Sequence, residues 1–222
     1  MIGSAYRVVR KFTLNWKYRL VALHSKKGTL LDYGCGTGEF LKTMQTYNWD
    51  VCGLEPSEIA RKKARLLTGK TIAETQEQLP KKLYNAITLW HVLEHIPDLN
   101  LVLQTFKNSL HHNGIIFIAV PNYQSPESLH YKNDWAGYDV PRHLWHFSKK
   151  SMELLLDQNN FKLHAVCPMP IDAYYISLLS EKNRGNTGLN GILRAIIQGM
   201  HSNTVAKKTC NHSSLIYIAK LK

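Results

Sequence analysis

The chain has 222 residues, of which 44% are hydrophobic and 20% charged, with a formal net charge of +12 and four cysteines. These are the proportions of a globular protein rather than a disordered one, and no apolar run approaches the roughly 20 residues of a membrane span. Cys35, Cys52, Cys167 and Cys210 include no C-x-x-C pair, which argues against a zinc knuckle and a disulfide framework.

The N-terminal segment carries Arg7, Arg10, Lys11, Lys17 and Arg19 among its apolar positions. It therefore lacks a signal-peptide core, and a cytoplasmic protein is expected. From residue 28 onward apolar runs alternate with helical patterns, as in a parallel sheet covered by helices. Thr29–Tyr33 reads as a buried strand, followed by a glycine loop and a helix from Glu39 with Phe40, Leu41 and Met44 on one face. Asp50–Glu55 is the next strand, and a helix then runs to about Leu67 with Ser57 as its cap. Thr71–Glu74 and Ala86–Trp90 are further strands. A helix follows from Asp98, its cap, to about Leu110, ended by Asn113-Gly114. Ile115–Val120 reads as a strand buried on both faces.

Residues 122–147 show no periodicity and are rich in Tyr, Trp, His, Pro and Asp, the mark of a long functional loop. Beyond them a helix is expected at Ser148–Asn159, a strand at Lys162–Val166, a flexible connection at 181–191, an amphipathic helix at Leu189–Met200 and a last strand at Ser214–Ala219.

The positive charge is unevenly placed. Residues 1–30 hold seven Lys/Arg and no acid, residues 171–222 hold seven against Asp172 and Glu181, and the middle is neutral. Basic flanks attract anions through a salt-screened field. An interfacial arrangement would lay residues 1–24 and the helix around Gly191–Ile197 on an anionic membrane surface.

The chemistry concentrates first in Asp32-Tyr33-Gly34-Cys35-Gly36-Thr37-Gly38. Glycines between the first strand and helix let a ligand approach the backbone at the carboxyl edge of the sheet. Glu55, at the end of the second strand, is placed to accept bonds from two ribose hydroxyls. The dinucleotide fingerprint would need a third glycine where Glu39 stands, and Asp32 disfavours a pyrophosphate while favouring a cationic sulfonium and ammonium. An adenosyl cation donor is expected rather than a nicotinamide cofactor.

With these motifs, with Glu55-Pro56-Ser57 and with Trp90-His91-Val92-Leu93-Glu94-His95, the chain resembles the class I S-adenosylmethionine-dependent methyltransferases. It looks most like the small-molecule branch that includes the ubiquinone-pathway O-methyltransferases. The resemblance implies a doubly wound, mostly parallel seven-stranded sheet with an antiparallel last strand and helices on both faces. It implies S-adenosyl-L-methionine as cofactor and S-adenosyl-L-homocysteine as product. Asp32, Gly34, Cys35, Gly36, Thr37 and Gly38 would hold the methionine part and Glu55, with Pro56 and Ser57, the ribose. Residues near Glu74, Thr75 and Gln76 would meet the adenine, and Trp90 and His91 would lie by the methyl. One domain is expected, made of a basic N-terminal helix (1–27), the cofactor-binding catalytic core (28–170) and a basic extension completing the sheet (171–222).

On the acceptor side, His91-x-x-Glu94-His95 also matches a zinc-peptidase pattern. Pro97 stops any helix there within about a turn, so no metal is expected. Methyl transfer needs alignment, exclusion of water and sometimes a base. His91, His143 and His146 are candidate bases, with imidazoles that ordinarily titrate near neutral pH. Asn122, Tyr123, Trp135, Asp139, Arg142, His143 and His146 are the expected acceptor wall, with Trp145 and Phe147 in the core. Arg142 either clamps an acceptor carboxylate or phosphate or pairs with Asp139. Leu89-Trp90-His91-Val92 replaces the D/N-P-P-Y/F motif of nucleic-acid amino methyltransferases. The expected acceptor is therefore a small molecule, anionic or lipid-linked, and no specific nucleic acid is expected.

Overall fold

The computed structural model describes residues 2–222, with side chains from Val9 onward. Met1 of the expected N-terminal helix and the side chain of Arg7 lie outside the described residues. Seven strands form one sheet in the order β3-β2-β1-β4-β5-β7-β6. They are β1 (Thr29–Tyr33), β2 (Asp50–Leu54), β3 (Ile72–Ala73), β4 (Tyr84–Trp90), β5 (Leu110–Pro121), β6 (Phe161–Pro168) and β7 (Ser214–Leu221). The last strand is antiparallel to the rest, as in Rossmann-like methyltransferase folds. The strand order reverses next to β1, which pairs in parallel with β2 on one side and β4 on the other. Ligands of doubly wound sheets sit at such a switch point.

The chain divides into two compact units. The first contains residues 1–90, 103–117 and 220–222, and so includes β1 to β4 and the start of β5. Its core is the buried set Leu30, Leu31, Leu41, Met44, Ile87, Leu89 and Phe106. Around it lie α1 (Ile2–His24), α2 (Glu39–Thr46), α3 (Glu58–Thr68) and most of α4 (Leu99–Ser109). Two helix starts read from sequence, that of α3 in this unit and that of α4 in the second, have their chemical cause in capping side chains. Ser57 accepts a bond from Ala60 N–H, and the Asp98 carboxylate accepts one from Leu101 N–H, each satisfying an orphan amide.

The second unit contains residues 91–102 and 118–219. It includes α5 (Pro126–Tyr131), α6 (Lys149–Gln158), α7 (Asp172–Asn183) and α8 (Gly188–Thr209). Here the structure departs from the sequence reading. The stretch 122–147 is not wholly irregular: Ser125 caps α5 and Pro126 opens it, a start signal readable beforehand. The helix α7 was not expected, and the connection reduces to 184–187 because α8 begins at Gly188 and runs to Thr209. β5 begins at Leu110, directly after α4, since Gly114 lets the chain pass tightly against Tyr84, where an added Cβ would meet its carbonyl at 2.8 Å.

Candidate functional site

The glycine loop lies between β1 and α2. Gly34 and Cys35 donate their N–H groups to the Leu54 carbonyl at 2.8 and 2.9 Å, which ties the loop to the end of β2. Gly34, Gly36 and Gly38 have φ of 77°, 54° and 81°, the left-handed region that glycine reaches without cost. They are not equivalent. A Cβ on Gly36 would meet nothing within 4 Å, so this backbone faces open space, whereas one on Gly38 would meet Ala64 at 2.9 Å. Gly36 leaves room for a ligand; Gly38 packs α2 against α3.

Glu55 follows β2 and is held by the loop: Oε2 accepts from Gly36 N–H at 2.8 Å and Oε1 from Ser57 N–H at 2.9 Å. Each carboxylate oxygen keeps a lone pair for a further donor. Asp32 is buried at the end of β1 and accepts a 2.7 Å hydrogen bond from Thr88 Oγ1. Burial raises its pKa to about 6, against the lowering effects of the Thr88 bond and the Lys17 charge. Burial also pushes the Cys35 thiol up, with Asp32 and Glu55 adding to the effect, so this cysteine is not a thiolate.

A cavity of about 310 Å³ opens onto Asp32, the loop from Gly34 to Thr37, and Trp90. The Lys17 ammonium of α1 reaches into it, 4.3 Å from the centre of the Trp90 ring, which is itself braced edge-on by Phe40. The Trp90 face beside the buried Asp32 carboxylate suits a sulfonium or ammonium group, and Lys17 shows a cation already seated on that face. With the open backbone at Gly36, the donor set fits S-adenosylmethionine. Of the expected adenine contacts, Glu74 binds Arg61 at 3.0 Å and Thr75 is exposed. Gln76 keeps a buried Oε1 with no hydrogen-bond partner. Ser57 serves as the α3 cap.

The second unit holds a larger cavity, about 840 Å³, whose wall includes His91, Glu94, Trp135, Asp139, His143 and Asp172. His91 stands here, next in the chain after Trp90, with φ of 59° and its N–H bonded to the Ala119 carbonyl at 3.0 Å. Its Nε2 is 3.0 Å from Asp172 Oδ2 and its Nδ1 is 3.5 Å from Glu94 Oε1. Burial alone would lower its pKa. The bond to Asp172 and the Glu94 carboxylate outweigh that and hold it at about 9. At neutral pH His91 is therefore an imidazolium, which donates from both nitrogens and has no lone pair to act as a base.

His143 is the opposite case. Its Nδ1 is 2.9 Å from the Gly137 carbonyl, so Nδ1 carries the hydrogen and Nε2 the lone pair. Burial lowers its pKa, only partly opposed by the Gly137 bond and the Glu94 and Asp139 charges. Nε2 lies 3.8 Å from Asp139 and 4.0 Å from Glu94, two carboxylates able to stabilise the ring once it takes a proton. His91 turns to Asp172, and among the described residues no candidate metal group pairs it with His95. Instead Glu94, His95 and His143 bring one ligand atom each within 4.8 Å of one another.

Other expected acceptor residues divide. Trp135 is buried and lines the cavity, with an indole N–H that has no hydrogen-bond partner. Asp139 and Arg142 line it too, but pair with each other at 2.6 Å. Asn122 is buried and bonds the His212 carbonyl at 3.1 Å, Tyr123 faces a different cavity, and His146 bonds the Tyr138 carbonyl at 3.1 Å. Phe147 is in the core as expected; Trp145 is not, being 42% exposed with its N–H on the Ile96 carbonyl. The sequence reading missed Asp172 and the role of Glu94. Asp172 lies 81 residues from its partner in an unexpected helix, and only the acid's place in the first turn of α7 marked it.

Replacing His91 by Gln is expected to cost about 1–3 kcal/mol at neutral pH, because two carboxylates lose a charged partner. A histidine whose pKa is raised in the folded state contributes stability that is complete below its unfolded value near 6.5 and is lost as pH rises through about 9. Urea unfolding at pH 6 and pH 10 should show the gap between wild type and H91Q closing at the higher pH.

Known proteins resemble this chain in sequence and in fold. A ubiquinone biosynthesis O-methyltransferase of Pectobacterium atrosepticum is 33% identical over 114 residues, covering 47% of this chain and 46% of that protein. The chain thus matches less than half the length of such curated relatives. An S-adenosylmethionine-dependent methyltransferase from Archaeoglobus fulgidus superposes with a TM-score of 0.62 at 19% identity, covering 95% of this chain and 94% of that one. Geranyl diphosphate C-methyltransferase from Streptomyces coelicolor A3(2), solved with S-adenosyl-L-homocysteine, gives 0.62 at 14% identity over 94% and 76%. These structures establish the fold. The family model described as a methyltransferase domain matches residues 7–166, so the chain belongs to that family, as a class I S-adenosylmethionine-dependent methyltransferase.

Proposed function

We propose that the protein methylates a hydroxyl oxygen of a small-molecule acceptor held in the 840 Å³ cavity of the second unit. The observation that carries this reading is His143, a neutral imidazole in the cavity wall whose Nε2 holds the lone pair and has the Asp139 and Glu94 carboxylates 3.8 and 4.0 Å away. The name of the Pectobacterium relative supports oxygen as the methylated atom.

When bound, S-adenosylmethionine supplies the methyl group: a C–O bond forms to the acceptor as the C–S bond breaks, its electron pair staying on sulfur. Asp32 and Trp90 would favour the cationic donor, and Glu55 would accept from its ribose hydroxyls. His143 Nε2 takes the acceptor's hydroxyl proton, and Asp139 and Glu94 stabilise the resulting imidazolium. His91, already cationic and held by Asp172 and Glu94, places a positive charge in the cavity wall. Lys182 on the same wall suits an acceptor with negative charge.

Calorimetry with S-adenosylhomocysteine and with NADH tests the donor half, and transfer of labelled methyl from S-adenosylmethionine to a panel of phenols and catechols, with and without a prenyl chain, tests the acceptor half. Micromolar binding of S-adenosylhomocysteine with labelled ether products is the expected result. Binding of NADH and not S-adenosylhomocysteine would overturn the donor site at Asp32, Gly36 and Glu55. Cofactor binding without transfer to any hydroxyl would overturn oxygen as the methylated atom.

A further inference from the structure

The helices α7 and α8 pack with the wrong residues inside. The contact-making positions of α8 are small: Gly191, Ala195, Gly199, Ser202 and Ala206 are buried. So are Ala173, Ser177 and Ser180 of α7. A Cβ on Gly199 would lie 2.7 Å from the Tyr174 ring and 3.1 Å from its Cα, so the helices approach at glycine distance. The large apolar residues point outward instead. Leu189, Ile192, Leu193, Ile196, Ile197 and Met200 are all exposed, from 44% to 85%. Their spacing of three and four residues makes one stripe, roughly 17 Å long at 1.5 Å per residue. Tyr175 and Leu178 of α7 are exposed as well. Small residues at a helix–helix seam with aliphatic side chains facing out is the pattern of helices solvated by lipid.

Charge decides what covers this face. α8 has no acidic residue, and it carries Arg194, Lys207 and Lys208, all exposed. The acids of α7 turn inward: Asp172 binds His91, and Glu181 is buried against Tyr131 and Asn186. A second copy of this chain would bring the same cations against each other, whereas an anionic bilayer complements both the cations and the stripe. Among the described residues no helix is long and apolar enough to cross a membrane, which leaves an arrangement in the plane of the interface.

We propose that the α7–α8 hairpin docks on an anionic membrane surface, with the Leu189–Met200 stripe among the acyl chains and Arg194, Lys207 and Lys208 at the headgroups. Tyr175, Ile176 and Leu179 of α7 also line the 840 Å³ cavity. On the reading of that cavity as the acceptor site, the docked helix gives it an apolar wall next to lipid, and the acceptor class is an amphipathic molecule resident in the membrane.

Flotation of the full chain with vesicles of phosphatidylcholine alone, or of phosphatidylcholine with phosphatidylglycerol, tests the docking directly. Binding to the anionic vesicles at low salt, at least tenfold weaker in high salt or without phosphatidylglycerol, is expected. L193D/I197D should lower it by a further tenfold or more while leaving the melting temperature and S-adenosylhomocysteine affinity unchanged. No flotation with either vesicle, or flotation equal for wild type and L193D/I197D, overturns the proposal. So does a dimer in sedimentation that the same substitutions dissociate, without vesicle binding, since the face then belongs to a second copy. Flotation reads docking without turnover, so failure of the methyl-transfer reading is seen separately in cofactor binding and product formation. If docking holds, a prenylated acceptor presented in anionic vesicles is methylated faster by wild type than by L193D/I197D; equal rates overturn the membrane-resident acceptor.

Discussion

Replacing Asp32 by Asn is expected to stabilise the fold and weaken cofactor binding together. Asn keeps the acceptor for the Thr88 hydroxyl, which Asp32 binds at 2.7 Å, and removes only the charge. In the wild type that charge is buried, and the carboxyl pKa rises from 3.8 to about 6. A carboxyl whose folded pKa lies above its unfolded value carries a stability cost that is absent below about pH 4. The cost grows as pH rises through about 6 and is complete above it. Two pKa units correspond to about 2–3 kcal/mol, so D32N should melt several degrees higher at pH 7.5 and lose that advantage near pH 4. Affinity should move the other way. A hydrogen bond to a charged group contributes about 1.5–3 kcal/mol, so D32N should bind S-adenosylmethionine about ten- to a hundredfold more weakly. Wild-type affinity should fall as pH drops below about 6, and D32N affinity should stay flat. Calorimetry across pH and thermal melts of both proteins check the pair; a D32N protein that binds as tightly as wild type would remove Asp32 from the cofactor site.

The other large effect is expected at His143. Asn at this position keeps a donor for the Gly137 carbonyl, which His143 Nδ1 reaches at 2.9 Å, and has no basic nitrogen. Loss of a general base lowers turnover about 10²–10⁴-fold. Affinity for S-adenosylhomocysteine should be unchanged, since His143 belongs to the cavity of the second unit. The pH profile gives a second signature. Wild-type kcat should fall on the acid side at a pH below the ordinary histidine value, because burial lowers the His143 pKa. H143N should lack that limb. Full turnover in H143N would show that alignment alone drives the reaction and that His143 is part of the wall.

The donor half of the protein was legible because its information is local. Asp32, the glycine loop and Glu55 lie within 24 consecutive residues, on two strands that pair directly with Asp32 opposite Gly53. Apolar runs marked the strands, and the capping residues Ser57 and Asp98 marked helix starts through bonds made within three residues. The acceptor half was legible only in outline. His91, His143 and His146 were named beforehand as candidate bases, all with ordinary imidazoles.

What the sequence by itself determined is the fold class and the chemistry of the donor loop, since hydrophobic period, glycine placement and an acid at a strand end act over a few residues. Tertiary structure alone decided which histidine is charged. The pairing of His91 with Asp172 spans 81 residues, and the shielding of His143 depends on a folded loop. It also decided which side of α8 faces out. An amphipathic period tells that a helix has two faces, and only the packing of small residues against α7 shows that the apolar one is exposed.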